Sequence, residues 1–179
     1  DQHNIRIISV EKNGSTAFAV YGYMNRGAHE GEVGVDIYYY DIEKNVVQEK
    51  AFIPSTKSFA IAEEELGKMV YYNQDQNLLY ILAGGKFYKI DLTKDEQTVL
   101  AKNLEEGQYT VSADGHLIAY QTSGTINTAQ EIKVLNLKTD EENAVAAKSG
   151  EAIRPLGFIG SDFVYGYLRQ EDVGHTAAG

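Results

Sequence analysis

The sequence predicts an all-β fold, a β-propeller-like array of about three and a half four-stranded antiparallel blades, with a two-sheet β-sandwich as the alternative. Three observations carry this. An Asx-anchored motif recurs at intervals of about 45–50 residues, in Asp41-Ile-Glu-Lys-Asn45, Asp91-Leu-Thr-Lys-Asp95 and Asn136-Leu-Lys-Thr-Asp140. Turn signals feed short apolar runs that end in Tyr. The composition, with 13 Tyr, 17 Gly, 2 Pro and no Trp or Cys, joins β-forming aromatics to flexible turns. A sandwich also uses short, evenly spaced strands, but it needs no echo every 45 residues or so.

The repeats fall at roughly 5–53, 57–103, 108–147 and an incomplete 151–179. In the first, Asn13-Gly14 is a type I′ hairpin signal leading to Phe18-Ala-Val-Tyr21. An alternating run, Val35-Asp-Ile-Tyr-Tyr-Tyr40, then enters the Asp41 motif, and Val46-Val-Gln48 leaves it. The second repeat has Gly67 before Met69-Val-Tyr-Tyr72, a turn at Gly84-Gly85, then Lys86-Phe-Tyr-Lys-Ile90 and the Asp91 motif. Residues 59–62, 69–72 and 78–82 compete there as strands where other repeats offer two. The third runs from Asp114-Gly115 through Leu117-Ile-Ala-Tyr120 and residues 131–135 to the Asn136 motif. The fourth opens at Gly160-Ser-Asp162 and stops early. The pairs Tyr40 and Ile42, Ile90 and Leu92, Leu135 and Leu137 lie two apart and should face the core. One more period passes Gly179, so the chain is expected to be a segment of a longer polypeptide, or else the strand near residues 5–10 completes the last blade.

The run Val111-Ser-Ala-Asp-Gly-His-Leu-Ile-Ala-Tyr120, followed by Ile132-Lys-Val-Leu-Asn-Leu137, resembles the blade of TolB-like propellers and of the propeller domains of prolyl-oligopeptidase-type peptidases. In those families "S-x-D-G, I-A-Y/F" forms the first two strands and "I-x-V-x-D/N-L" the third. The resemblance is good over these two runs and looser around Asp41 and Asp91. It implies a propeller fold and, from TolB-like proteins, a location outside the cytoplasmic membrane of a bacterium, secreted or surface-anchored. From the peptidases it implies a second role, as the accessory domain of a larger hydrolase whose catalytic part lies elsewhere.

The chemistry is sparse. A net charge of −10, from 16 basic and 26 acidic residues, disfavours nucleic acid, whose binding draws on Lys and Arg against phosphate. No apolar run reaches the roughly 18 residues that span a bilayer. Without Cys there is neither a disulfide nor a thiolate. Neither phosphate-loop pattern nor G-x-S-x-G occurs. His3, His29, His116 and His175 form no close zinc-type pair, and Asn73-Gln-Asp-Gln-Asn77 lacks the Gly and Glu of a calcium loop. Acid clusters at 63–65, 105–106 and 141–142 read as solvated turns. No catalytic residue, metal ligand or cofactor is assigned. The expected function is a non-catalytic module that recognises a protein, peptide or glycan through blade loops. The candidates are the loops at 25–32 and 122–130, with Arg26, His29 and Asn127, and the aromatics Tyr39 and Tyr71, since rigid rings give contact area at small entropic cost.

Overall fold

The computed structural model describes residues 3–55, 59–169 and 171. Among them, fourteen strands form antiparallel sheets of consecutive strands. The first sheet holds β1 (His3–Val10), β2 (Thr16–Tyr23), β3 (Val33–Asp41) and β4 (Val46–Pro54) in that order. A helix, α1 (Phe59–Lys68), precedes the second sheet, made of β5 (Val70–Asn73), β6 (Leu78–Ala83), β7 (Lys86–Asp91) and β8 (Glu96–Ala101). The third contains β9 (Tyr109–Val111), β10 (Leu117–Gln121), β11 (Glu131–Asn136) and β12 (Glu141–Ala146). The fourth pairs β13 (Glu151–Ile159) with β14 (Asp162–Arg169). No strand leaves its sheet, which is the up-and-down connectivity of propeller blades and not the Greek-key exchange of a sandwich. The fold is therefore all-β and propeller-like.

The three Asx motifs are equivalent. Each closes a hairpin between the third and fourth strands of its sheet. Asp41 Oδ1 accepts the N–H groups of Glu43 and Lys44, Asp91 Oδ1 those of Thr93 and Lys94, and Asn136 Oδ1 that of Lys138. Four residues on, Asn45, Asp95 and Asp140 turn left-handed, with φ of 51°, 53° and 62°. The N–H of the residue between is bonded back to the preceding hairpin: Ile42 to Ser15 Oγ, Leu92 to the Asn77 carbonyl, Leu137 to that of His116. Leu92 and Leu137 are buried as expected, but Ile42 is 43% exposed. It lies at the tip of the first sheet, beside Gly14 and otherwise open among the described residues.

Contacts divide the chain into two units, Asp1–Val99 and Leu100–Gly179. In the first, Ala19, Tyr21, Val35, Ile37 and Ile53 of the first sheet meet Leu79, Ile81, Ile90 and Leu92 of the second. In the second, Ala119 and Ile132 meet Ile153, with Phe158 and Phe163 packed alongside. Fully burying an Ile or Leu contributes about 1.5–3 kcal/mol, so these facing sheets hold each unit together.

Four expectations are corrected. Residues 59–62 open a helix, because the run Ala-Glu-Glu-Glu-Leu-Gly-Lys is made mostly of helix formers, and Glu64 pairs with Lys68 one turn later at 3.1 Å. The run led by Gly67 is the first strand of its sheet and residues 78–83 are the second, so the turn at Asn73–Asn77, not Gly67, matches Asn13-Gly14. The strand near residues 5–10 pairs with β2 within the first sheet and does not complete the last one. Of the acid clusters, 63–65 lie in α1 and 141–142 in β12 instead of turns.

The left-handed corner is testable at exposed Asp95. Asp95→Gly should leave stability within about 0.5 kcal/mol of the parent, whereas Asp95→Val should cost about 1–2 kcal/mol, because only a residue with a bulky Cβ branch pays the full left-handed penalty. Urea denaturation measures both, and equal costs would contradict the corner's role.

Candidate functional site

Strand parity builds a polar cluster on the outer face of the first sheet, the face turned from the second. On β3, Val35, Ile37 and Tyr39 point inward and Asp36, Tyr38 and Tyr40 outward. On β4, strict alternation from Ile53 would turn Ala51 and then Glu49 inward. A bulge prevents this: Ile37 pairs with Ala51 but Tyr38 pairs with Glu49, so Lys50 is an extra residue. Beyond it the parity of β4 is reversed, and Glu49 and Val47 join Phe52 on the outer face.

The loop between β2 and β3 delivers the third element. Its ends are tied by Met24 N–H to the Glu32 carbonyl and Gly31 N–H to that of Met24. His29 lies flat on Phe52, with ring centroids 3.8 Å apart and planes 10° apart. Phe52 in turn covers Gly34, where a Cβ would stand 2.8 Å from the ring and 2.4 Å from the Ile53 carbonyl oxygen. That position admits no side chain.

Within this frame His29 Nε2 is 2.8 Å from Glu49 Oε1, and Tyr38 donates to Asp36 Oδ2 at 2.6 Å. Asp36 is 3% exposed, and its Oδ1 is buried without a hydrogen-bond partner. His29, Asp36 and Glu49 each present a ligand atom within 4.8 Å of the others. Burial raises the Asp36 carboxyl, with the Tyr38 hydrogen bond opposing and the Glu49 charge adding to the rise. Burial, then the bond to Asp36, raises Tyr38. The Glu49 hydrogen bond raises His29. An apolar trough of about 320 Å³ lies on the same face, lined by Ile5, Ile7, Thr16, Phe18, Tyr40 and Val47.

The second unit contains a Ser, an Asp and a His close together, arranged as a turn. Ser112 Oγ donates to Asp114 Oδ1 at 2.7 Å and accepts the Leu117 N–H, while Asp114 Oδ1 also accepts the His116 N–H and meets its ring at Nδ1. The Ser hydroxyl points at the carboxylate, not at an imidazole that could take its proton, so this is not a nucleophile–base pair. Nearby, buried Gln121 holds the loop of residues 122–130, donating to the carbonyls of Ile126 and Ile153 and accepting from Gln108.

The residues singled out in the sequence lie apart. Arg26 is exposed and His29 half-buried in the same loop. Tyr39 faces inward, lining a recess of about 190 Å³ with Lys50, Tyr72, Asn77 and Leu92. Tyr71 is on β5 opposite Tyr80, and Asn127 is in the 122–130 loop of the second unit. Of the five, His29 alone joins the polar cluster. Glu49 escaped sequence reasoning because the bulge that turns it outward leaves no mark in a pattern of period two, and Asp36 and Phe52 because only strand pairing and the loop bring them beside His29.

No family model and no curated protein matches this chain. Among solved structures it is similar to TolB from Acinetobacter baumannii, with a TM-score of 0.39 and 15% identity, covering 90% of this chain and 40% of that one. The similarity is at the level of fold.

Gly34→Ala should destabilise the chain by about 1–3 kcal/mol through overpacking, read from urea denaturation, and should shift the His29 ring resonances as Phe52 moves. At the Ser112 turn, the Ser112 hydrogen bond is the largest cause holding the Asp114 carboxyl down to about 2. A depressed carboxyl stabilises the fold above its unfolded value, and that contribution is lost as pH falls through about 2. Ser112→Ala should move the Asp114 carbon-13 titration upward, and an unmoved midpoint would show that the hydroxyl is not the cause.

Proposed function

We propose that the chain is a non-catalytic, extracytoplasmic interaction module that binds a polypeptide along the outer face of its first sheet, beside the 25–32 loop. The carrying observation is the apolar trough. Ile5, Ile7 and Val47 are 66%, 63% and 54% exposed there, and Phe18 and Tyr40 line it with them. Contiguous apolar side chains open to water on one face are what an interface presents before its partner arrives. A peptide with two or three apolar side chains suits such a lining better than a glycan, whose hydroxyls need convergent polar groups. The overall charge of −10 favours a partner carrying basic groups. The non-catalytic part of the reading is supported by the Ser112 turn, where the hydroxyl is spent on local bonds.

A displayed peptide library selected against the full chain tests this. Enriched sequences should combine apolar with Lys or Arg residues, and their affinity should fall at least about tenfold for Ile7→Asp or Val47→Glu, variants of exposed positions. Equal binding by parent and variants would place the site elsewhere. Hydrolysis of a peptide or glycoside by the chain, lost on a single Ser or acid substitution, would overturn the non-catalytic reading.

A further inference from the structure

We propose that His29, Asp36 and Glu49, brought together by the 25–32 loop and the bulged β3–β4 pair, bind one divalent cation of the zinc type. The inference is independent of peptide binding. Its ligand atoms come from three separate segments and already lie within 4.8 Å of one another. Ligands about 2.0–2.2 Å from a zinc ion stand a little over 3 Å apart, so the His29–Glu49 pair at 2.8 Å needs to open only slightly.

Two carboxylates and a nitrogen cluster on many surfaces without a metal. What sets this cluster apart is Asp36, 3% exposed and with Oδ1 buried and unpartnered, although its Oδ2 is satisfied by Tyr38. A buried orphan of this kind calls for a missing partner, and an ion is one of the few that fit. A protonated His29 paired with Glu49 leaves the Asp36 oxygen as it is, whereas a cation among the three takes up the orphan and offsets both negative charges at once.

The surroundings match a metal site in two further ways. The His29 ring is held against Phe52, and the Tyr38 hydroxyl holds one oxygen of Asp36, as outer hydrogen bonds orient ligands at known metal centres. His29 and Glu49 keep 24% and 38% of their side chains exposed, which leaves an entry path and room for a water as fourth ligand. One imidazole with two carboxylates selects zinc, manganese or a neighbouring first-row ion over magnesium and calcium, which take oxygen alone. Bound there, the ion would staple the 25–32 loop to the sheet.

The full chain, stripped by chelator, should bind one zinc ion per molecule in calorimetric titration and melt roughly 5 °C higher at saturating metal, with no comparable shift from calcium or magnesium. Asp36→Asn, Glu49→Gln and His29→Gln should each weaken binding at least about tenfold, while His116→Gln should not. Should Asp36→Asn fail to fold, exposed Glu49→Gln decides alone. No saturable binding, binding that survives all the folded ligand variants, or a larger shift from calcium than from zinc would overturn the proposal.

Discussion

Backbone N–H groups at the tip of a hairpin have no strand to bond to, and in this chain an Asx oxygen takes them. Asp41, Asp91 and Asn136 do so at the same place in three successive sheets. The left-handed residue that follows sends the chain back one strand-width away, so the fourth strand starts in a set register. Once register is set, parity follows, and parity decides which side chains meet the neighbouring sheet. The place of Ala51 and Ile53 in the core of the first unit, and of Val145 beside that of the second, is downstream of that small set of side-chain bonds.

Facing sheets leave the outer surface of the first one covered only in part, by the 25–32 loop, among the described residues. There the chain carries two unlike features side by side, a trough of aliphatic and aromatic groups and a pocket of titratable ones. A surface that needed only solubility would carry neither. The buried carboxylate of Asp36 costs stability as it stands, since its burial is only half satisfied. Such a cost is commonly retained where a site is held ready for a ligand.

Much of the fold was legible because its signals are local. Asx followed by polar residues and a second Asx, or Asp114-Gly115 ahead of an apolar run, declare a turn within five residues, and the repeat declares itself by their spacing. The second sheet was harder to read. Its lead-in is a helix of Ala and Glu that begins with Phe59-Ala-Ile, a run whose apolar character looks equally like a strand over four residues. The polar cluster was not legible at all beyond His29, since Glu49 is twenty residues away from it and reaches it only through strand pairing. Ile42 shows the reverse limit: its motif matches Leu92 and Leu137, but burial depends on a neighbour that a repeat pattern does not describe.

The extra residue at Lys50 gives this sheet an uneven tolerance to change. Replacing Lys50 by another side chain keeps the count of residues and therefore the outward aim of Glu49 and Val47. Removing it leaves simple alternation with the same partners on β3, so Ala51 still faces inward and Glu49 and Val47 still face outward. A single-codon deletion at this point is thus a milder event than a single-codon insertion elsewhere in β4, which would turn one half of the strand inside out, and descendants of this gene that differ in length along that strand should do so here.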